Sequence, residues 1–184
     1  MPTPPKTSRT ELVSIARGLI EAGGVDALTV SAVAAGAGIK GPSIYKHFAD
    51  RSALLKAVEI DILHELEARL KSGTKGRTPL LRLKSMARAY RGFARERPRH
   101  YEAIYSRNAF NDPEITEAFR QAARPLFDEL RSAGIAEARI LPLSRTLTAF
   151  LHGFVSMEIA SAFRLGGDIG EAFELGLATI LREI

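Results

Sequence analysis

Cysteine is absent from all 184 residues, and this absence excludes several classes of protein at once. Without thiols the chain has no disulfides, no thiolate metal sites and no cysteine-based redox sensor. The chain also lacks an apolar run near the ~20 residues that a membrane span needs, and it lacks a secretory signal pattern. A cytoplasmic protein with no membrane partner is the simplest interpretation.

The composition is that of a folded, mildly basic protein. Hydrophobic residues make up 46% of the chain, which is enough for a real interior in one large domain or two small ones. The formal net charge is +5, and residues 1–56 hold seven Lys and Arg against four Asp and Glu. This excess suits a polyanionic partner, although an excess of this size would not prove one.

Apolar residues recur at helical spacing along most of the chain, and no segment shows a convincing alternation of period two. We therefore predict an all-α fold of about nine helices. They are predicted over residues 8–22, 51–71, 79–97, 100–106, 112–132, 141–165 and 168–182, with two more between residues 29 and 48. Residues 1–6 are predicted to form a mobile, proline-rich tail, and Pro125 is predicted to kink or split its helix.

Residues 28–55 contain the most specific pattern in the chain. Thr29 is placed to cap one helix, and Gly38 is placed to end it in the left-handed conformation that glycine adopts without steric cost. Pro42 then opens a second, short helix over residues 43–48. Two short helices around a glycine turn predict a helix-turn-helix, in which the second helix enters the major groove of DNA.

The outward side of the second helix distinguishes this pattern from an ordinary αα-hairpin, which the spacing alone would equally allow. A packing hairpin normally carries acidic and basic residues mixed together on its solvent side. Here Asp50 is the only carboxylate between Asp26 and Glu59, while Ile44 and Phe48 are predicted to face inward. The outward positions hold Lys40, Ser43, Tyr45, Lys46, His47 and Arg51. This set favours a DNA-reading pair of helices, with a Tyr45 partly in the core as an open alternative.

The same residues resemble the N-terminal domain of the TetR family of bacterial transcriptional repressors. The family pattern has a Leu-Thr-Val entry, an Ala-x-x-Ala-Gly-Val-type turn, a Leu/Ile-Tyr-x-His/Tyr-Phe recognition helix, and a Lys or Arg before a Leu-Leu pair. The chain carries Leu28-Thr29-Val30, Ala34, Ala37-Gly38-Ile39, Ile44-Tyr45-Lys46-His47-Phe48, Arg51 and Leu54-Leu55. The resemblance implies a three-helix DNA-binding domain over residues 1–52. It also implies a helical bundle over residues 53–184 that binds a ligand and forms a dimer.

Three positions depart from the family pattern. Ser31 stands where an arginine is common, which puts one phosphate contact in doubt. Gly36 lies inside the first helix of the pair and lowers its intrinsic stability. Lys40-Gly41-Pro42 replaces the commoner Ser-Lys-Gly, which changes what the tip of the recognition helix offers to bases.

The resemblance also implies which side chains meet double-stranded DNA. Base-edge contacts are expected from Lys40, Gly41, Pro42, Ser43 and Lys46, and phosphate contacts from Thr29, Tyr45, His47 and Arg51. A lysine can donate to guanine acceptors or to a phosphate, and a proline ring can touch a thymine methyl. Tyrosine, histidine and threonine each supply one donor that positions the duplex without reading its sequence.

The family pattern further implies a small-molecule effector pocket among the helices after the fourth. The candidate effector-binding residues are Tyr90, Phe93, Tyr101, Tyr105, Phe119, Phe127, Phe150, His152 and Phe154. For each aromatic residue ordinary core packing is an equal alternative, and a histidine among apolar neighbours is more often a satisfied core residue than a ligand contact. The spacing of the histidines gives no metal motif, and we expect no metal or other cofactor.

The last two predicted helices are expected to form a homodimer. Between Thr146 and Phe163 the only ionisable residues are His152 and Glu158, and apolar residues occur on every side. A helix that is apolar all round must be covered on both faces. The residues predicted at the dimer interface are Leu147, Leu151, Phe154, Phe173, Leu177 and Ile180. Leu151-His152-Gly153-Phe154 also resembles, more weakly, the Trp-His-Gly segment of one C-terminal subclass of the family.

These expectations lead to one predicted function and two alternatives. The sequence predicts a homodimeric DNA-binding repressor that a small-molecule effector releases from a pseudo-palindromic operator. The first alternative is a helical small-molecule-binding protein whose N-terminal helices have lost DNA affinity, and the second is a helical enzyme. Catalysis has no support, because no nucleophile–base pair, Gly-rich phosphate loop or carboxylate pair stands out.

One basic surface has no assigned role. Lys84, Arg88, Arg91 and Arg95 fall on one side of the fifth predicted helix. A solvated face, a site for an anionic ligand and a second DNA contact are all open interpretations of these four residues.

Overall fold

The computed structural model describes residues 7–105 and 112–183, and all regular structure within these ranges is helical. The α-helices are α1 (Arg9–Gly23), α2 (Val30–Gly36), α3 (Arg51–Gly73), α4 (Pro79–Glu96), α5 (Pro98–Tyr105), α6 (Pro113–Ser132), α7 (Glu137–Ile159) and α8 (Ile169–Ile180). Short 3₁₀ helices cover Val25–Ala27, Gly41–Lys46 and Leu181–Glu183. We call Gly41–Lys46 the reading helix.

The all-α prediction is confirmed for the residues that the structure describes. The eight α-helices and the reading helix are the nine predicted helices, so α3 is the fourth of them and α4 the fifth. Helix α6 runs without a break through Pro125, so the predicted split does not occur there. The predicted tail at residues 1–6 and the last residue of the predicted helix 100–106 lie outside the described ranges. Within those ranges, every helix is too short or too polar to cross a membrane.

The chain packs as two compact units, which we describe separately. The N-terminal unit contains the described residues of Met1–Leu63 and Arg97–Ala118, and the C-terminal unit contains those of His64–Glu96 and Phe119–Ile184. Helix α5 and the start of α6 therefore belong with the N-terminal helices, and α3 contributes to both units. The predicted division of function between residues 52 and 53 stays a prediction.

The N-terminal unit is built around one apolar core. Helix α1 begins where the Ser8 hydroxyl accepts a hydrogen bond from the Glu11 amide, 3.1 Å away, and it ends before Gly24 at φ +76°. Its inner face supplies one side of the core, and the following helices supply the rest. The almost fully buried members are Leu12, Ala16, Ile20, Leu28, Val33, Ile44, Phe48, Leu54, Leu55, Val58 and Ile62.

Helix α5 packs on the back of α1 inside this unit. The buried His100 places its Nε2 atom 3.0 Å from the carbonyl oxygen of Arg17. Arg99 donates to the carbonyl oxygens of Glu21 and Ala22 at the end of α1, where the last carbonyls of a helix lack intrahelical partners. The sequence prediction missed this contact, because about 80 residues separate the partners and neither side follows a recognisable local pattern.

The C-terminal unit has α4 packed against α7 and α7 packed against α8. Its core is formed by Leu83, Met86, Tyr90 and Phe93 of α4, Ile140, Leu147, Leu151 and Val155 of α7, and Phe173 and Leu177 of α8. Helix α7 buries one face at spacings of three and four residues, as an amphipathic helix does. Its other face is exposed, so the helix is not covered all round within its own chain.

Candidate nucleic-acid interface

The turn between α2 and the reading helix forms as the sequence predicts. The Thr29 hydroxyl accepts a hydrogen bond from the Ala32 amide at 3.0 Å and caps α2. At the other end Gly38 has φ +63°, and the Ile39 amide donates to the Ala34 carbonyl at 3.0 Å. This six-to-one bond with a left-handed glycine is a Schellman motif. It turns the chain sharply and directs it into the reading helix.

Gly36 departs from the family pattern for a steric reason. A β-carbon at this position would lie 2.8 Å from the Cγ2 atom of Ile15 on α1, closer than side chains tolerate. The glycine therefore lets α2 approach α1 closely. Its low helix propensity is the cost of that packing.

The reading helix is a 3₁₀ helix, and it spans Gly41–Lys46 instead of the predicted residues 43–48. Pro42 lies in its first turn, and the Ser43 amide donates to the Lys40 carbonyl at 2.9 Å. A short segment that has no room for several α-helical bonds forms the tighter i to i+3 bonds instead. Phe48 lies beyond the helix end but is still 2% exposed, so the inward direction predicted for it is confirmed.

The reading helix has one buried side and one exposed side. Ile44 is 1% exposed, whereas its neighbour Tyr45 is 57% exposed, which rules out the alternative of Tyr45 in the core. Of the nine residues predicted to meet DNA, the exposed ones are Thr29, Lys40, Pro42, Tyr45, Lys46 and Arg51, and the half-buried ones are Gly41, Ser43 and His47. All nine lie in the N-terminal unit. Their individual roles on DNA stay predictions.

The single carboxylate in the sequence between Asp26 and Glu59 is used within the fold. Asp50 Oδ1 accepts a hydrogen bond from the Ala53 amide at 2.7 Å and so caps α3. A carboxylate at a helix N-terminus is stabilised by the free amides there. The outward side of the reading helix keeps its basic and hydroxyl-bearing side chains.

Arg51, for which the resemblance implies a phosphate contact, binds backbone carbonyls within its own unit. Its Nε donates to the Leu28 carbonyl oxygen at 2.5 Å, and its Nη2 donates to the Val25 carbonyl oxygen at 2.7 Å. Two of its three nitrogens therefore bind backbone of the same unit. Arg9, which the sequence prediction missed, donates in the same way to the His47 carbonyl oxygen at 3.0 Å.

The predicted effector-binding residues fall in different units. Tyr101 and Tyr105, with ring centres 5.1 Å apart, belong to the N-terminal unit, and the other seven belong to the C-terminal unit. Tyr90, Phe93 and Tyr101 are buried, and Tyr105, Phe119, Phe127, Phe150, His152 and Phe154 are half-buried. Phe150 and Phe154 lie 5.7 Å apart in an aromatic cluster with Phe163 and Phe173. Their role in effector binding stays a prediction.

Three arginines on the basic side of α4, Arg88, Arg91 and Arg95, form ion pairs with acids. Arg91 binds Glu158 of α7 through two parallel hydrogen bonds of 2.8 and 2.7 Å, and its guanidinium lies 4.7 Å from the ring centre of Phe173. Arg88 binds Glu174 of α8 at 2.7 Å, and this hydrogen bond lowers the pKa of the Glu174 carboxyl. The Glu158 carboxylate likewise raises the pKa of Arg91. These residues tie α4 to α7 and α8.

A cleft of about 690 Å³ opens beside these pairs. Its lining residues are Arg91, Arg95, Glu158, Gly167, Asp168, Ile169 and Gly170. Two arginines face two carboxylates, so the cleft has no clear preference for one sign of charge, and none of the predicted effector-binding residues lines it. In the part of the chain that the structure describes, no group of three or more metal-ligating side chains comes together.

The predicted dimer residues need a correction. Leu147, Leu151, Phe173 and Leu177 are at most 6% exposed, so the core of their own unit covers them and they have no surface left for a second copy. Phe154 and Ile180 are half-buried. The spacing correctly marked α7 and α8 as apolar, but it did not show which apolar side chains α4 covers.

Comparison with known proteins agrees with this arrangement. Residues 12–58 match the family described as "Bacterial regulatory proteins, tetR family", and residues 83–180 match "Tetracyclin repressor-like, C-terminal domain". The chain is 34% identical over 158 residues to Rv0681 of Mycobacterium tuberculosis, named an uncharacterized HTH-type transcriptional regulator. That alignment covers 85% of this chain and 72% of the relative.

Two solved structures share the fold. A protein of unknown function from Rhodococcus sp. RHA1 matches with a TM-score of 0.85 and 22% identity, over 100% of this chain and 99% of that one. A TetR variant from Acinetobacter baumannii AYE, solved in complex with minocycline, matches with a TM-score of 0.71 and 21% identity, over 97% and 96%. The two family matches and the M. tuberculosis relative show that the chain belongs to the TetR family of bacterial transcriptional regulators and carries its DNA-binding domain.

Proposed function

We propose that the protein is a homodimeric repressor that binds a pseudo-palindromic operator and leaves it when a small molecule binds. The observation that carries the DNA-binding part is the two-sided reading helix. Ile44 is buried in the core while Tyr45 and Lys46 are exposed, so the helix can offer hydrogen-bond donors to a duplex. A helix with donors on its exposed side is the arrangement that reads the major groove.

The dimer is proposed to form through the exposed faces of α7 and α8. These faces carry Thr146, Ala149, Gly153 and Met157 of α7, and Ala172, Leu175 and Thr179 of α8. The hydroxyls of Thr146 and Thr179 already donate to carbonyls of their own helices, so neither needs water as an acceptor. Small and apolar side chains let two helix pairs approach closely and bury area together. A two-fold symmetric dimer then presents two reading helices to two half-sites.

The effector is proposed to bind among the predicted residues of the C-terminal unit. Phe119, Phe127, Phe150, His152 and Phe154 are half-buried, so part of each side chain is exposed to solvent. The related A. baumannii structure contains minocycline, which supports the proposal that the effector is a small molecule of similar size. We propose that the ligand moves α3, which contributes residues to both units, and so changes the separation of the two reading helices.

The test is selection of DNA duplexes from a randomised library, followed by affinity measurements over a range of salt concentrations. We expect a pseudo-palindromic sequence and a steep loss of affinity with salt, because Lys and Arg displace condensed counterions. Equal affinity for selected and random duplexes, or an affinity independent of salt, would overturn specific repression. The absence of measurable affinity for any duplex would favour the alternative of a small-molecule-binding protein without DNA affinity. Because it must reach DNA, we place the protein in the cytoplasm.

A further inference from the structure

The reading helix is too short to hold its own position. It has six residues, whereas an isolated helix in water needs about 12–15 residues to be even marginally stable. Its orientation therefore depends on contacts with the rest of the N-terminal unit. Ile44 and Phe48 supply buried apolar contacts, and the hydrophobic effect behind such contacts is non-directional.

Arg9 fixes the carboxyl end of the reading helix. Its Nη1 donates to the carbonyl oxygen of His47 at 3.0 Å, and its guanidinium carbon lies 4.4 Å from the ring centre of Phe48. His47 caps the helix, where carbonyls lack intrahelical partners and carry the negative end of the helix dipole. One cation therefore binds this carbonyl and stacks on the buried ring of the next residue.

Arg51 binds the segment that precedes α2 and the reading helix in the chain. Its hydrogen bonds go to the carbonyl oxygens of Val25 and Leu28, in the segment that leads directly into Thr29, the cap of α2. Arg51 is itself the first residue of α3. One side chain thus joins the start of α3 to the start of α2, and the reading helix lies in the stretch of chain between these two points.

We propose that Arg9 and Arg51 are positioning residues for DNA recognition, which orient the reading helix through backbone carbonyls. The inference rests on the proposed DNA-binding function. A guanidinium is a planar fork that can donate to two separate oxygens or stack on a ring while it donates. A lysine ammonium keeps the charge but reproduces neither geometry. Lysine should therefore fail at both positions.

The first test compares Arg9→Lys and Arg51→Lys on two probes: the duplex that the wild-type protein selects from a randomised library, and a random duplex. Loss of a phosphate contact would weaken binding to the selected and the random duplex alike, because phosphate contacts carry no sequence information. We expect each variant to lose about tenfold or more on the selected duplex, the effect of one lost charge-assisted hydrogen bond. Affinity for the random duplex should change little, so the ratio between the two affinities falls. Arg69→Lys, an exposed arginine elsewhere on α3, is the matched control and should leave both affinities unchanged.

The second test needs no DNA. Amide hydrogen exchange over residues 41–48 should be faster in Arg9→Lys and Arg51→Lys than in the wild type, at a temperature where thermal unfolding shows all variants folded. A purely structural role would lower the unfolding temperature without changing the affinity ratio, and that outcome would overturn the proposal. Arg→Lys variants that bind and exchange like the wild type would overturn it too. Failure of the proposed function is distinguishable, because the wild-type protein itself would then select no duplex.

Discussion

Gly176 of α8 lies directly against the ring of Phe150 of α7. A β-carbon on Gly176 would stand 2.5 Å from Cε2 and 2.6 Å from Cζ of that ring. The same ring stacks on Phe173 at 5.8 Å and packs against Phe154 at 5.7 Å, so a shift away from Gly176 would disturb these contacts. This close approach sets the distance between the two helices on which we propose that the dimer is built.

We therefore predict that Gly176→Ala destabilises the protein although alanine is the better helix former. Overpacking in a well-filled core costs about 1–3 kcal/mol, which exceeds the gain of about 0.5–1 kcal/mol in helix propensity. Gly92→Ala is the matched control. A β-carbon there meets only Glu96 Oε1 at an ordinary 3.8 Å, so this variant should be more stable than the wild type. Chemical denaturation of both variants measures the difference, and equal stabilisation by both would contradict the packing argument.

A charge on the exposed face of α8 should separate the proposed dimer. Leu175 is 65% exposed within its own chain, so Leu175→Lys should fold normally and yield a monomer. The matched control is Leu165→Lys, since Leu165 lies in the loop before α8 and its side chain is fully exposed. Sedimentation at micromolar concentration should show a dimer for the wild type and for the control. A monomeric wild type, or a dimeric Leu175→Lys, would overturn the proposed interface.

Leu177 is unsuitable for this test, and the reason shows where prediction from the sequence reached its limit. Its spacing marks it as apolar, but the structure places it in the core at 0% exposure, so a charge there would unfold the subunit. Periodicity reports which side chains avoid water. It does not report whether α4 or a second copy covers them, because that depends on contacts far apart in the chain.

Contacts between residues close together in the chain were easier to predict than contacts between residues far apart in it. Thr29, Gly38 and Pro42 each act within a few residues of themselves, and the structure places all three as the sequence predicts. Arg51, by contrast, binds carbonyls 23 and 26 residues away, and the sequence prediction missed both contacts. The docking of α5 on α1 was missed for the same reason. Such contacts depend on how the helices pack, for which a single sequence carries no local signal.

Acid should destabilise the protein through His152. Burial lowers the pKa of this imidazole below its ordinary value of 6.5, so the unfolded chain binds a proton that the folded chain resists. Above the ordinary pKa, the neutral imidazole makes its full contribution to the free energy of unfolding. The protein loses this contribution as the pH falls below the ordinary pKa. Between about pH 7.5 and about pH 5.5, we expect the melting temperature of His152→Gln to fall by less than that of the wild type. The exposed His64 provides the control, because His64→Gln should retain the wild-type loss. An unchanged acid sensitivity in His152→Gln would contradict this assignment.

Lys46→Ala and Tyr45→Phe should affect DNA binding in different ways, although the two residues are neighbours on one exposed surface. If the Lys46 ammonium reaches guanine O6 or N7, its loss should cost about 1–3 kcal/mol and relax the preference at one position of each half-site. The Tyr45 hydroxyl is expected to bind a phosphate, so removing it should weaken all sequences similarly and leave the preferred site unchanged. Neither change removes a core contact, because phenylalanine keeps the ring and both side chains are exposed, so both variants should unfold like the wild type.

Duplex selection with each variant, alongside thermal unfolding, makes the comparison. An altered site for Tyr45→Phe with an unaltered site for Lys46→Ala would reverse the two roles. Unchanged affinity in both variants would mean that the reading helix does not bind DNA through this surface.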